Sequence, residues 1–323
     1  MTETAPPPPY GWEDCLSELI RIQDAAGTAV AWVAPRFGAN AVGFAVKDGS
    51  EWLHILHSEG PTRLVELPSR FGFPILFPHV GQVRDGRYAW HGQQYQLPPS
   101  FPGFPNFMHG FGHTRAWRAT RVAPNRMRAT LSTAVDLQPA ERAGYPFDVE
   151  AELDIELVDG ALRATLVATN VGSTDAPVNI GFHPYFDPAV FGVDRTDVRV
   201  AVPGPLERAV GGGDGQTRPA PSEPIVPGPL GDRWLWARAG LKDGDIATLS
   251  SPSSRRRVVL EMGGAVQDLL VFCPDTSPSI SIEPLAAVPG GFSRPEGDPS
   301  GPISVPPGGK RRLTTTVRLQ VSG

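Results

Sequence analysis

The amino-acid sequence predicts an all-β fold, a single large antiparallel β-sandwich. Three observations predict it. Residues 147–158, FDVEAELDIELV, alternate strictly: Val149, Ala151, Leu153, Ile155 and Leu157 point one way, and Asp148, Glu150, Glu152, Asp154 and Glu156 the other. This is the pattern of a half-buried antiparallel strand. Turn dipeptides recur between alternating runs, at Asp48-Gly49, His91-Gly92 and Asp159-Gly160, and such pairs mark tight hairpins. No long segment carries a 3.6-residue apolar period, so helices are not expected to build the core.

Taken in order, the chain opens on MTETAPPPPY. This stretch, residues 1–10, is polar and proline-rich and is expected to be a disordered tail. The sandwich domain then runs from 11 to 323. Residues 12–24 fit a helix and a strand entering a meander equally well. GFAVK and EWLHIL flank the first turn, GRYAW and QQYQL the second, and FDVEAELDIELV and ALRATLVATN the third. Further short apolar runs follow as VVLEM (258–262), DLLVF (268–272) and SISIE (279–283), and RRLTTTVRLQV closes the chain with alternation through Leu313, Thr315, Val317 and Leu319. Residues 203–231, with GGGDG, and residues 293–309 read as loops by composition. Strand patterning lies on both sides of each loop, so neither divides two domains. No internal repeat is present.

Composition narrows the function. The chain has 323 residues, 40% hydrophobic and 20% charged, with Gly and Pro contributing 36 each. That suits a large core with many turns. The net charge of −5 argues against a general nucleic-acid binder, which needs a clustered basic surface. Arg255-Arg256-Arg257 and Lys310-Arg311-Arg312 read as solvated strand ends. Two cysteines, Cys15 and Cys273, build neither a disulfide framework nor a thiolate zinc site. The first residues lack the basic and apolar regions of a signal peptide, and no apolar run reaches the roughly 18 residues of a membrane span. A cytoplasmic protein, with no membrane and no nucleic-acid partner, is the expectation.

Three polar residues sit oddly. His109 lies among Phe107, Met108, Phe111 and Trp117, and His183 lies in GFHPYFD with Phe182, Tyr185 and Phe186. Glu283 ends the apolar run SISIE and is followed by Pro284. A buried carboxylate is costly unless paired or functional. Proline next to it predicts that the strand cannot continue as a central one, so Glu283 is expected where a strand opens into a cleft. His109 and His113 are four apart, but two glycines in HGFGHT break the helix that a metal pair at that spacing needs, so no metal site is expected. Taken singly, each residue also fits a satisfied core histidine or an edge-strand carboxylate. Together, two imidazoles and a carboxylate among rings suit proton transfer on a sugar, whose C–H face packs on aromatics while side chains hold its hydroxyls.

Four stretches resemble the aldose 1-epimerase (galactose mutarotase) family, in the family's order. They are PILFPHVGQVRDGRYAWHGQQYQLP (74–98), HGFGHTRAW (109–117), NIGFHPYF (179–186) and SISIEP (279–284). The second is similar to the family's HGfaR…W motif, the third to its N-x-x-HpYF motif and the fourth to its strand-ending IEP. The resemblance covers about residues 15–320. It implies the family's large antiparallel supersandwich, agreeing with the period-two reading. It further implies interconversion of the α and β anomers of a free aldose, with Glu283 as general base and His183 as general acid. Substrate-binding roles fall on His109, on Asp232 in LGDRWLW, on Gln82, Arg84 and Tyr185. The chemistry implied needs no cofactor or metal. The expected partner is a small sugar, and the chain is expected to be a monomer or homodimer.

The chain departs from the pattern at two sugar-contacting positions. Gln82 stands where the family's first segment has an arginine, with Arg84 and Arg87 close by. His113 stands where the second motif has one, with Arg115 two residues on. A relative acting on hexose 6-phosphates needs a basic pocket, and these departures count against it. A non-catalytic carbohydrate-binding protein on the same scaffold is the remaining alternative. Retention of both His183 and Glu283 counts against that one, since binding alone needs no acid and base together.

Overall fold

In a computed structural model the structure describes residues 6–204, 207–210, 216–219, 224–231 and 233–322. The fold is antiparallel β throughout its main sheets. One eight-stranded sheet runs, in spatial order, Arg118–Ala123, Arg126–Ser132, Val149–Val158, Ala161–Asn170, Lys310–Val321, Arg256–Gly264, Ile246–Ser250 and Arg199–Ala201. The other runs Gln216–Pro219, Glu207–Val210, Trp234–Ala239, Asp268–Cys273, Ile280–Leu285, Gly181–Phe182 and Ile75–Leu76, with Tyr185–Phe186 also paired to Ile280–Leu285. A four-stranded sheet, from Ile20–Gln23 to Glu51–His54, packs beside them.

The alternation translates directly into burial. In Val149–Val158 the five residues Val149, Ala151, Leu153, Ile155 and Leu157 are all buried. Asp159 (φ 49°) and Gly160 (φ 73°) turn the chain, as do His91 (φ 50°) and Gly92 (φ 75°). Positive φ at both central residues matches the right-handed twist of the flanking strands. At the first hairpin Asp48 pairs with Glu51, so Gly49 and Ser50, one residue further on than expected, form the turn.

The structure resolves residues 12–24 as a 3₁₀ turn, Leu16–Glu18, followed by the strand Ile20–Gln23. The reading of 203–231 as a loop is corrected: Glu207–Val210 and Gln216–Pro219 pair as a hairpin at the edge of the second sheet. Composition hid it, because glycine and proline on either side outweigh two four-residue strands. Residues 1–5 of the expected tail lie outside the described residues, and Pro9 is buried against Gly43. The described helices are short, the longest α-helix being Gly60–Glu66, and none is long and apolar enough to cross a membrane.

The core fills the space between the two large sheets. Leu153, Ile155, Leu166, Leu260 and Val317 come from the first sheet, and Phe182, Phe186, Val271, Ile280 and Ile282 from the second. Each such side chain contributes about 1.5–3 kcal/mol by leaving water. Side chains alternate across a strand, so the odd-numbered neighbours Ser281, Glu283, His183 and Tyr185 stand on the opposite face of the second sheet. The core therefore anchors one face of these strands while the other carries polar groups.

Candidate active site

Gly181 pairs with Leu285 and Tyr185 with Ser281. The register is unbroken between them, so His183 falls directly opposite Glu283. The ladder itself is interrupted there. Leu285 accepts from Gln267 on one side of its strand, and Ala286 donates to Ile180 on the other. Successive residues of a strand point their backbone groups to opposite sides. The nitrogen of Pro284 therefore faces the 181–186 segment, and by the same alternation the nitrogen of Pro184 faces Ile280–Leu285. Neither proline has an N–H to give.

This corrects the expectation for Glu283. Pro284 does not end the strand, which continues to Leu285 and pairs with Asp268–Cys273 along its other edge, Leu270 opposite Glu283. The proline is tolerated in a central strand because its missing donor falls on the broken side. The break leaves the His183–Glu283 side-chain pair free of ladder constraints, and the His183 N–H is taken by the Pro74 carbonyl at 3.0 Å instead.

The two side chains meet. His183 Nε2 lies 3.4 Å from Glu283 Oε1, and the residues are only 4% and 2% exposed. Tyr185 stacks on the imidazole, ring centroids 4.7 Å apart, with its hydroxyl 3.2 Å from Nε2. On the far side of the ring, Nδ1 lies 2.8 Å from Ser281 Oγ. Ser281 Oγ also donates to the Pro184 carbonyl at 2.8 Å.

His109 reaches the same place from another direction. His109 (φ 60°) and Gly110 (φ 74°) make a left-handed turn, and a Cβ at Gly110 would stand 2.2 Å from the Phe77 carbonyl oxygen. That oxygen accepts from Phe111 and Gly112. Only glycine fits so close an approach. The turn sets the His109 ring perpendicular to that of His183, centroids 5.2 Å apart, and His113 is 6.2 Å from His109. The Nδ1 atoms of both His109 and His113 are buried without a hydrogen-bond partner. Buried donors or acceptors without partners are what a polyhydroxylated ligand would satisfy.

Arg70 completes the described group. It follows the Gly60–Glu66 helix in LPSRFGFP, a stretch that Asn40 brackets by donating to the Phe71 carbonyl at 2.9 Å and accepting from the Phe73 N–H at 2.6 Å. Its guanidinium lies 5.1 Å from the Phe272 ring centroid, and one of its terminal nitrogens is buried without a partner. Arg233 approaches the same ring at 5.9 Å. Phe272 stands opposite Ser281 in the register and 6.3 Å from the His183 ring.

Burial decides the charge states. It pushes the Glu283 carboxyl up to about 8, against the opposing pull of the Arg70 charge. It holds His183 well below the usual imidazole range, assisted by the charges of His109, Arg70 and His113. His109 and His113 are pushed down to about 3 and about 4, mainly by burial. Burial thus favours the neutral carboxyl–imidazole form of the 3.4 Å contact, a pair sharing one titrating proton, over the ion pair.

The residues singled out in the sequence divide clearly. His109, His183, Tyr185 and Glu283 come together. Gln82 is half-buried beside Met108, the neighbour of His109, and its Oε1 accepts from Asn106 at 2.7 Å. Arg84 is exposed and Arg87 is bonded to Gln96. Arg115 pairs with Glu141. Asp232 lies outside the described residues. Sequence reasoning missed Arg70, Phe272 and Ser281. For Ser281 a signal exists, since in SISIE it shares the face of Glu283 two residues on.

Fold and site together define a galactose mutarotase-like β-sandwich protein with a buried carboxyl–imidazole pair on one face of a sheet. Comparison with known proteins places it further. The aldose 1-epimerase family model matches residues 18–207, more than half of the chain. The chain belongs to the aldose 1-epimerase family. It is 22% identical to the uncharacterized protein YphB of Escherichia coli K12 over 77% of this chain and 83% of that one. It is 28% identical to the uncharacterized protein YihR of the same organism, over 42% of each. Among solved structures, a putative aldose 1-epimerase from Escherichia coli K12 superposes with a TM-score of 0.74 at 19% identity, covering 94% of this chain and 99% of that one. A galactose 1-epimerase from Lactobacillus acidophilus NCFM gives 0.70 at 18% identity, covering 94% and 95%. At these identities the structural likeness speaks for the fold.

Proposed function

We propose that the chain is an aldose 1-epimerase, an isomerase that interconverts the α and β anomers of a free aldohexose or related sugar. The observation that carries this is the His183–Glu283 pair, 3.4 Å apart and buried among hydrogen-bonding side chains. In its working form the pair is carboxylate and imidazolium, reached from the resting form by moving its one proton across the contact. Glu283 takes the proton from the anomeric hydroxyl. The C1–O bond of the ring breaks, its electron pair goes to the ring oxygen, and His183 protonates that oxygen. The open-chain aldehyde turns about its C1–C2 bond, and the reverse transfers close the ring on the other face. Every proton returns to its origin. General acid–base assistance contributes typically about 100- to 10,000-fold per group, and mutarotation in water is not slow, so these two residues suffice. His109, Gln82 and Tyr185 are proposed to hold the sugar, together with Asp232.

Arg70 and Arg233 favour a second reading, a sugar bearing an anion such as a hexose 6-phosphate. Both guanidinium groups flank Phe272, and Arg70 has a buried uncommitted nitrogen. They offer the positive charge that Gln82 and His113 do not. Anomer exchange followed by NMR on glucose, galactose and glucose 6-phosphate tests both readings. Acceleration over the blank on the neutral sugars supports the first, and acceleration confined to the phosphate supports the second. Binding without exchange on any of them would defeat both in favour of a carbohydrate-binding protein.

A further inference from the structure

We propose that Ser281 is a positioning residue that fixes the tautomer of His183, keeping the proton on Nδ1 and reserving Nε2 for proton transfer. The proposal gives a role to a residue outside the acid–base pair. It rests on the reading of His183 as the group that exchanges a proton with substrate.

A serine hydroxyl has one proton. Ser281 Oγ lies 2.8 Å from the Pro184 carbonyl oxygen and 2.8 Å from His183 Nδ1. The carbonyl can only accept, so the hydroxyl proton satisfies it. The serine oxygen is left with its lone pairs, and Nδ1 must then be the donor. Ser281 is 0% exposed, so bulk water does not offer the hydroxyl an alternative partner.

The other end of the ring gives the same answer. Tyr185 Oη is 3.2 Å from Nε2, and Glu283 Oε1 is 3.4 Å from it. Burial holds the Tyr185 phenol well above its usual range, so the phenol keeps its proton, and the carboxyl of Glu283 is protonated in the resting pair. Both carry an O–H that can be donated to an unprotonated Nε2. The Nδ1–H tautomer that Ser281 requires is thus matched by donors at Nε2. Because Nδ1–H stays bonded to Ser281 when Nε2 gains its proton, the ring does not reorient between the neutral and charged forms. A histidine is kept in a working tautomer by what its other nitrogen touches, and where a histidine binds a metal the loss of such a partner costs about 10- to 100-fold in activity.

Proline contributes as well. Pro184 follows His183 and biases it to extended backbone, and its own carbonyl is the acceptor that commits the Ser281 proton. One local sequence, His-Pro opposite Ser-x-Glu, therefore sets both the position of the imidazole and its protonated nitrogen.

The test has two arms. In ¹⁵N-detected NMR at neutral pH, wild-type His183 is expected to show protonated Nδ1 and unprotonated Nε2, and Ser281→Ala a shift toward the other tautomer. This arm reads no activity, so it stands even if no sugar is turned over. An Nε2–H signal in the wild-type protein would overturn the proposal. In anomer-exchange assays Ser281→Ala is expected to lower kcat by about tenfold or more with KM within about twofold, and Ser281→Thr, which keeps the hydroxyl, to restore most of the rate. Wild-type kcat in folded Ser281→Ala, or equal losses in the alanine and threonine variants, would also overturn it.

Discussion

His183 and Glu283 are cross-strand partners, one hundred residues apart in the chain and 3.4 Å apart in space. They occupy a gap in an antiparallel ladder that two prolines hold open. Elsewhere such an opposed pair is surrounded by backbone hydrogen bonds that fix its spacing. Here Pro184 and Pro284 remove the donors on the facing edges, while Pro74 and the Asp268–Cys273 strand hold the outer edges. The sheet thus presents a carboxyl and an imidazole at side-chain contact with paired backbone behind them, the arrangement that the proposed acid–base chemistry on one small ring requires.

Substitution of either partner is expected to remove catalysis and leave binding. Glu283→Gln and His183→Gln each keep size and hydrogen bonding but cannot exchange the proton. Each should lower the anomerisation rate by at least about 100-fold. The double variant should be little worse than either single one, because the two act as a unit. Optical rotation of a freshly dissolved anomer, read against the blank, measures this. Near-normal turnover per folded molecule in either variant would return these residues to a structural role.

The pH dependence of kcat/KM should be bell-shaped, with limbs in the reverse of the usual order. A solvated carboxylate and imidazole would place the base below neutrality and the acid above. Here burial raises the carboxyl to about 8 and lowers the imidazole below its usual range. The active pair holds one proton. It gains a second on the acid side, at a pH below 6.5, and loses its only one on the alkaline side near 8. These are properties of the pair and not of either residue. A rate flat from pH 5 to 9, or an alkaline limb lying below 7, would contradict the arrangement.

Much of this was legible in the sequence, and the rest was hidden for identifiable reasons. The alternation of Val149 to Leu157 translated directly into a half-buried strand, because a period of two has only one structural meaning at that length. His109, His183 and Glu283 stood out because polar groups in apolar settings need a reason. The continuation of the strand through Pro284 was not legible. It depends on which side the missing N–H faces, and that is set by the register with a segment one hundred residues earlier. Arg70 was invisible for a similar cause: no local pattern marks a residue whose significance lies in which ring it covers. The Glu207–Val210 and Gln216–Pro219 hairpin was lost because each strand is too short for its periodicity to outweigh the glycines around it.

Arg70 should tune the pair and select the substrate. Its charge is the influence that draws the Glu283 proton affinity down, so Arg70→Gln should move the alkaline limb to higher pH. If the substrate is anionic, the same change should lower kcat/KM on it by at least tenfold more than on a neutral sugar, since about 1.5–3 kcal/mol attends a charge-assisted hydrogen bond. Equal losses on both sugars would leave Arg70 with the electrostatic role alone. An unmoved alkaline limb would remove that role too.

The buried carboxyl also carries a stability cost that depends on pH. In the unfolded chain Glu283 releases its proton above its ordinary value of 4.5, and in the folded protein it keeps it to about 8. Between those values the unfolded state binds fewer protons than the folded one. Stability from this group is therefore full below 4.5 and falls as pH rises, by at most about 1.4 kcal/mol per pH unit, before levelling above 8. Glutamine in its place has no proton to lose. Glu283→Gln should consequently melt close to wild type at pH 5 and several degrees above it at pH 8.5, since 1 kcal/mol corresponds to about 1–2 °C in a chain of this length. His183 works in the opposite sense. Its lowered affinity removes stability as pH falls below 6.5, and both proteins should share that acid limb. Calorimetric melting temperatures for the two proteins from pH 4.5 to 9 decide the matter. Parallel curves would mean that Glu283 is ionised in the folded state. A variant less stable at every pH would mean that the carboxyl holds the strand together, and that its proximity to His183 serves the fold before it serves a sugar.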